Sequence, residues 1–167
     1  ARWNHPQLGV LAPEAFLDLI SVSGQLDTLA TIAIREAAAA LTCLPPSIAV
    51  AVNLTAQNLR NLELPDVCGE LLESFGVDPA RLIVEITESH VIDASGATHA
   101  VIDDLARRGI RVAVDDFGTG YSSLTHLRSL PLSELKIDRR FVRSMVTDEH
   151  DLVIVRSMID LGHNLGL

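Results

Sequence analysis

The sequence predicts an α/β fold, and three observations predict it. Short, nearly continuous apolar segments alternate with amphipathic helical segments along the 167 residues. Such segments are typical of parallel strands whose sheet is covered on both faces, either in a barrel or in a doubly wound sheet. Polar residues fall at or near the C-terminal ends of four successive predicted strands, which favours a TIM-like (β/α) barrel, because its active site is built at that face.

The elements follow from changes in the hydrophobic period. Two helices come first, at residues 13–20 and at residues 26–44, where Pro45 and Pro46 end the second one. The remaining pattern predicts strands at residues 47–54, 81–86, 111–114 and 134–137, a helical turn at residues 55–58, and helices at residues 66–75, 95–108, 122–130 and 149–165.

Composition excludes several classes of protein. A chain that is 48% hydrophobic can bury a core, and its length predicts one domain. A formal net charge of -9 argues against a broad basic surface for a nucleic acid polymer. No apolar run is long enough to cross a membrane. Cys43 and Cys68 lack disulfide or zinc spacing, so we expect free thiols and a cytoplasmic protein, with membrane tethering left to other domains of the parent.

Charged side chains at the strand ends need partners. Glu85, Asp115 and Asp116 are three carboxylates that would be costly to bury alone. Lys136 is one candidate counter-charge, but one ammonium group cannot balance three carboxylates. Mg²⁺ or Mn²⁺ can, and these ions prefer carboxylate oxygens and amide oxygens such as that of Asn53.

Each residue also has an ordinary interpretation. A single Asn at a strand end is usually a turn former, and a single Glu-Lys couple is commonly an ion pair. The constellation favours the metal site instead. Asp115 and Asp116 precede the glycine-rich segment 117–120, and because side chains alternate along a strand, a bend is needed to bring both to one site.

Four motifs in order resemble the core series of EAL domains, which hydrolyse cyclic di-GMP to linear pGpG in bacterial second-messenger signalling. They are VNLTA at 52–56, EITES at 85–89, DDFGTGYSSL at 115–124 and LKID at 135–138. The opening ARWNHPQLG and the segment PEAF add to the resemblance, which runs from one end of the chain to the other.

The resemblance implies a site for two Mg²⁺ or Mn²⁺ ions. Asn53, Glu85 and Asp115 would bind one metal, and Asp115 with Asp116 would bind the second. Such ions would polarise the scissile phosphate and lower the pKa of a bridging water. Lys136 and Asp116 would be catalytic, the lysine acting electrostatically near the water and the phosphate.

Further roles are implied outside the metal ligands. Arg2 and Asp138 would bind substrate, and Glu88 would anchor the loop at residues 117–123. Cyclic di-GMP is therefore the expected ligand. A homodimer, and GGDEF or sensory domains in the parent, are the expected partners.

The sequence also departs from the family pattern. The glutamate of the EAL tripeptide is expected just before Ala1, and the glutamate usually taken as general base just after Leu167. A complete barrel of this kind has about 250 residues. We therefore expect a partial EAL domain at residues 1–167, truncated at both ends, without the last strands and helices and inactive by itself. Ser21 stands where the family commonly has a glutamate.

Two other functions remain open. A catalytically degenerate EAL domain would sense cyclic di-GMP or bind a protein without cleaving the nucleotide. An enolase-like barrel would use strand-end carboxylates to hold Mg²⁺ and a lysine to abstract a proton from carbon. The DDFGTGYSSL and KID motifs do not resemble the latter, and spacing alone does not exclude it.

Overall fold

The protein is described from a computed structural model that covers residues 1–89, 96–119 and 124–167, without the side chains of residues 124–126. Strands in this part of the chain are β1 (Trp3–His5), β2 (Gly9–Leu11), β3 (Val50–Asn53), β4 (Leu82–Thr87), β5 (Arg111–Phe117) and β6 (Glu134–Ile137). Helices are α1 (Leu17–Val22), α2 (Leu26–Cys43), α3 (Leu64–Ser74), α4 (Gly96–Arg107), α5 (Leu124–Ser129), α6 (Arg139–Ser144) and α7 (Glu149–Leu165), with 3-10 turns at Pro13–Ala15, Asn58–Arg60 and Pro79–Arg81.

One parallel sheet organises the fold. Its strand order is β3-β4-β5-β6, so each strand pairs with the next one along the chain. Helices α3, α4 and α5 lie between these strands in sequence. A sequential order of parallel strands is that of a (β/α) barrel, whereas a doubly wound sheet reverses its order at a switch point. β1 and β2 form a separate antiparallel hairpin.

The core lies between the sheet and its covering helices. β4 is buried from Leu82 to Ile86, as expected for a strand with neighbours on both sides and helices over its face. Each of α2, α3 and α4 contributes one apolar stripe. The largest fully buried side chains of these stripes are Ile34, Leu41, Leu72, Val101, Ile102 and Leu105.

The predicted elements are confirmed, with local differences. The first predicted helix divides into a 3-10 turn at Pro13–Ala15 and α1, because Phe16 leaves helical geometry with φ -137°. The predicted strand at 47–54 is shortened to β3, and β5 continues through Phe117 instead of ending at Val114. The β1-β2 hairpin and α6 were not predicted. Two predicted helix starts, Ser95 and Ser122, lie outside the described residues.

Two compositional predictions can also be compared with the structure. Both cysteines are free: Cys43 is exposed, and Cys68 is buried on α3, where burial raises the pKa of its thiol to about 12. An inert structural thiol results. Among the described residues, the structure has no helix of the length and apolarity that crossing a membrane requires.

Candidate metal and phosphodiester site

An extra residue in β5 shapes the candidate site. Val114 pairs with Leu135 and Phe117 with Ile137, so three steps along β5 match two steps along β6. The extra residue forms a β-bulge at Asp115 and Asp116, and Asp116 has a left-handed φ of +53°. A bulge interrupts the alternation of side chains along a strand. It is the bend that the adjacent acids were predicted to need.

Asn53 and Glu85 meet directly across the sheet. They are register partners in β3 and β4, and Asn53 Nδ2 donates to Glu85 Oε2 at 2.9 Å. The other carboxylate oxygen, Glu85 Oε1, pairs with Lys136 Nζ from β6. Glu85 is only 6% exposed, so these two contacts provide the compensation that a buried carboxylate requires. The ion-pair interpretation of Glu85 and Lys136 therefore holds in this structure.

Within the described part of the chain, the carboxylates of Asp115 and Asp116 have no direct partner of this kind. Neither forms a hydrogen bond or ion pair through its side chain with another residue of the described segments. Desolvation raises the pKa of Asp116, and the negative charges of Asp115 and Asp138 act in the same direction. Arg140 and Arg139 oppose the shift without reversing it. This strand end therefore carries negative charge that favours a bound cation.

The turn after Asp116 is held from two sides. Glu88 is 3% exposed, and its Oε2 accepts from the backbone N–H of Gly118 at 2.9 Å and of Thr119 at 3.1 Å. Gly118 has φ +99° and packs against Met158 of α7 and Phe141 of α6. A carboxylate that accepts two N–H groups binds the turn strongly. The structure thus brings Glu88 to the loop that it was predicted to anchor.

Asp138 and Arg2, the predicted substrate-binding residues, lie in different settings. Asp138 is 7% exposed and caps α6, where its Oδ1 accepts from the N–H of Arg140 at 2.6 Å. Arg2 is exposed and lines a mainly apolar cavity of about 470 Å³ with Trp3 and Phe16. The strand-end acids do not line that cavity. The structure therefore brings Asp138 to the end of β6 and leaves Arg2 at the β1-β2 hairpin.

The oxygen atoms at these strand ends are of the kind that a hard divalent cation binds. Asn53 commits its NH₂ group to Glu85, so its amide oxygen is the atom left to act as a ligand. Asp115 and Asp116 add two carboxylates, and such oxygens are what Mg²⁺ and Mn²⁺ prefer. Within residues 1–89, 96–119 and 124–167, however, no three His, Cys, Asp or Glu side chains form a group that could hold a metal ion. Lys136 holds the position of counter-ion to Glu85.

Sequence reasoning did not identify Phe141 and Met158 as supports of this site. Both are apolar helix residues whose contact with Gly118 crosses from α6 and α7 to the end of β5. The spacing of apolar residues predicts which face of a helix is apolar, but it does not predict which loop that face will contact. The only signal was Gly118 itself, since a glycine after paired acids indicates a close approach of backbone.

The fold and the site together define the class. A sequentially ordered parallel sheet brings an amide, three carboxylates and a lysine toward one end of its strands, as in (β/α) barrel enzymes. The family model for the EAL domain matches residues 1–167. The chain therefore belongs to the EAL domain family.

Relatives and solved structures of this family cover the chain from end to end. The bifunctional diguanylate cyclase/cyclic di-GMP phosphodiesterase MucR of Pseudomonas aeruginosa is 36% identical over 170 residues, which cover 99% of this chain and 25% of that protein. The cyclic di-GMP phosphodiesterase RocR of the same organism is 35% identical over 170 residues, covering 100% of this chain and 43% of RocR.

A solved structure of the MucR phosphodiesterase in complex with c-di-GMP matches with a TM-score of 0.87 and 36% identity, covering 99% of this chain and 69% of that one. The predicted α/β fold, part of a TIM-like barrel, and the predicted family are thus confirmed. The chain spans about a fifth to a quarter of the length of the first curated relatives it matches.

Proposed function

We propose that the protein hydrolyses cyclic di-GMP to linear pGpG in a reaction that depends on Mg²⁺ or Mn²⁺. One observation carries the proposal: the β5 bulge holds Asp115 and Asp116 next to each other at the strand end, where neither carboxylate forms an ion pair with another described residue. Family membership supports the reaction class, because MucR and RocR are named as cyclic di-GMP phosphodiesterases. Fold alone would not be sufficient grounds.

The proposed metal ligands are Asn53, Glu85, Asp115 and Asp116. When bound, two cations would polarise the phosphodiester and acidify the attacking water. The protein's own residues would orient these ions: Asn53 through its bond to Glu85, and Asp115 and Asp116 through the bulge. We propose that Asp116 is a catalytic residue as well as a metal ligand.

Lys136 would change partners as metal binds. In the structure its ammonium neutralises Glu85, which is buried. A cation on Glu85 would release Lys136, which would then be available to stabilise negative charge on the phosphate. Arg2 and Asp138 are proposed to contact substrate. A homodimer and further GGDEF or sensory domains are proposed for the whole protein, since one relative is named as bifunctional.

The experiment measures pGpG release by the full-length protein with Mg²⁺, with Mn²⁺ and with EDTA. Asp115→Asn is expected to abolish turnover, and EDTA is expected to do the same to the unaltered protein. The matched control is Asp66→Asn, which makes the same chemical change on α3, where Asp66 pairs with Arg108. Turnover that continues in EDTA would refute metal dependence.

A binding module is the second candidate, and the Lys136–Glu85 pair favours it. This contact already neutralises the buried Glu85 without a metal ion, as a sensor that does not cleave its ligand would allow. Calorimetry of the full-length protein with cyclic di-GMP and Mn²⁺ separates the two functions. Tight binding without pGpG release would establish the sensor and exclude the enzyme.

A further inference from the structure

A partly buried polar network joins helix α2 to the turn that follows β3. Asp27, in the first turn of α2, accepts from Asn58 Nδ2 at 2.7 Å through Oδ1 and from Asn61 Nδ2 at 3.3 Å through Oδ2. Asn58 Oδ1 in turn accepts from Thr55 at both its N–H, at 3.0 Å, and its hydroxyl, at 2.8 Å. Two segments that are distant in sequence, the start of α2 and residues 55–61, are thus connected through one carboxylate.

The network is costly to disturb. Asn58 is 2% exposed, and both its amide oxygen and its amide nitrogen are in use. Removing one partner of a buried polar group leaves the other without a hydrogen bond, and this is destabilising. The turn at residues 54–58 therefore has one strongly preferred conformation, which Asp27 selects from the neighbouring helix.

This turn begins at the candidate site. Asn53 is the last residue of β3, and the next residue, Leu54, is buried and donates its N–H to the Glu85 carbonyl at 2.9 Å. Thr55, the first residue held by Asn58, is only two residues from Asn53. The backbone that leaves Asn53 is consequently fixed both by β4 and by the network.

We propose, on the basis of the function proposed above, that Asp27, Asn58 and Thr55 are positioning residues for Asn53. They hold the turn after β3 so that the Asn53 amide keeps its NH₂ group on Glu85 and its oxygen free for the cation. None of the three touches the metal or the substrate in this proposal. They act on the orientation of a ligand, as residues that hydrogen-bond to metal ligands do in other sites.

An ion pair elsewhere in the chain provides a matched control for the Asp27 variant. Asp66, in the first turn of α3, pairs with Arg108 near the end of α4. Like Asp27, it is an acid near a helix N-terminus that contacts a residue distant in sequence. Among the described residues, Asp66 hydrogen-bonds and ion-pairs through its side chain with Arg108 and with no proposed metal ligand, so a change there is expected to alter stability without reaching Asn53.

The experiment titrates Mn²⁺ into the full-length protein by calorimetry and records its melting temperature, for Asp27→Asn, Thr55→Val, Thr55→Ser and Asp66→Asn. Thr55→Val removes the hydroxyl at nearly constant volume, and Thr55→Ser keeps it. Asp27→Asn and Thr55→Val are expected to weaken Mn²⁺ binding about tenfold, the lower end of what changes behind metal ligands cost. Thr55→Ser and Asp66→Asn are expected to bind as the unaltered protein does.

The outcomes separate the two proposals. If the unaltered protein neither binds Mn²⁺ nor releases pGpG, the proposed function fails. If it does both, and Thr55→Val lowers the melting temperature while Mn²⁺ affinity stays unchanged, the network is merely structural and the positioning role is refuted. Thr55→Val changes only one hydroxyl group, so it still tests the positioning role if Asp27→Asn does not fold.

Discussion

Replacing Gly118 by alanine tests how tightly the turn after the paired acids is packed. The new methyl group would lie 2.1 Å from Met158 Cε and 3.1 Å from Phe141 Cε2, at a φ of +99°. The left-handed backbone costs a residue with a Cβ about 1–2 kcal/mol. Crowding in a packed core typically adds about 1–3 kcal/mol. We therefore expect Gly118→Ala to lower the free energy of unfolding by about 2–5 kcal/mol, the sum of these ranges.

A matched variant separates the two contributions. Gly109 also has a left-handed φ, +84°, but a methyl group there would meet only Pro79 Cβ at 3.7 Å, an ordinary contact. Gly109→Ala should therefore show only the backbone cost of about 1–2 kcal/mol. Urea titrations followed by circular dichroism measure both values.

The clash with Met158 can be tested directly by a double-mutant cycle. Gly118→Ala should cost less in a Met158→Ala background, because the methionine end is the nearest obstacle, while Phe141 keeps part of the penalty. The reasoning is refuted if Gly118→Ala costs no more than Gly109→Ala, or if Met158→Ala does not reduce its cost.

Three further predictions concern the same end of the sheet. Glu88→Ala should lower the free energy of unfolding by about 1–3 kcal/mol, because it removes the oxygen that accepts from two backbone N–H groups of the turn, and urea titration checks this. Lys136→Met leaves Glu85 without its ammonium partner, so the melting temperature should fall. Added Mn²⁺ should then raise the melting temperature of this variant by more than it raises that of the unaltered protein. An equal rise in both proteins would contradict the prediction. The N–H and guanidinium of Arg140 hold the pKa of Asp138 below its usual range, so the capping contribution is present at neutral pH and is lost as the pH falls through that lowered pKa. Asp138→Ala should therefore cost about 0.5–2 kcal/mol at pH 7, and a cost that does not decrease in acid would count against this account.

Sequence periodicity predicted most of the sheet and its helices, because each strand is a short apolar run and each helix has one apolar stripe. β4 and α7 show this well, since they were placed within one residue of their ends. The β1-β2 hairpin was missed because three-residue strands are too short for a period to be visible. α6 was missed for the same reason, since six residues give less than two helical turns.

The candidate site was predictable at the level of residue types and strand ends. The contact of Asn53 with Glu85 follows from parallel register, which a sequence indicates only roughly. The network around Asp27 was not predictable, because its partners lie more than 30 residues away and each is an ordinary helix or turn former when taken alone. Long-range polar contacts depend on the final packing of helix against turn.

The β5 bulge shifts the phase of the strand by one residue. Before it, the register with β6 runs residue for residue, and after it the two strands are offset by one. Deleting either acid would let β5 and β6 pair residue for residue between Val114–Leu135 and Phe117–Ile137, so the bulge would disappear and one aspartate would remain at this strand end instead of two. An engineer who moves this motif to another strand must therefore transfer both acids, one of which is the extra residue of the bulge, together with Gly118.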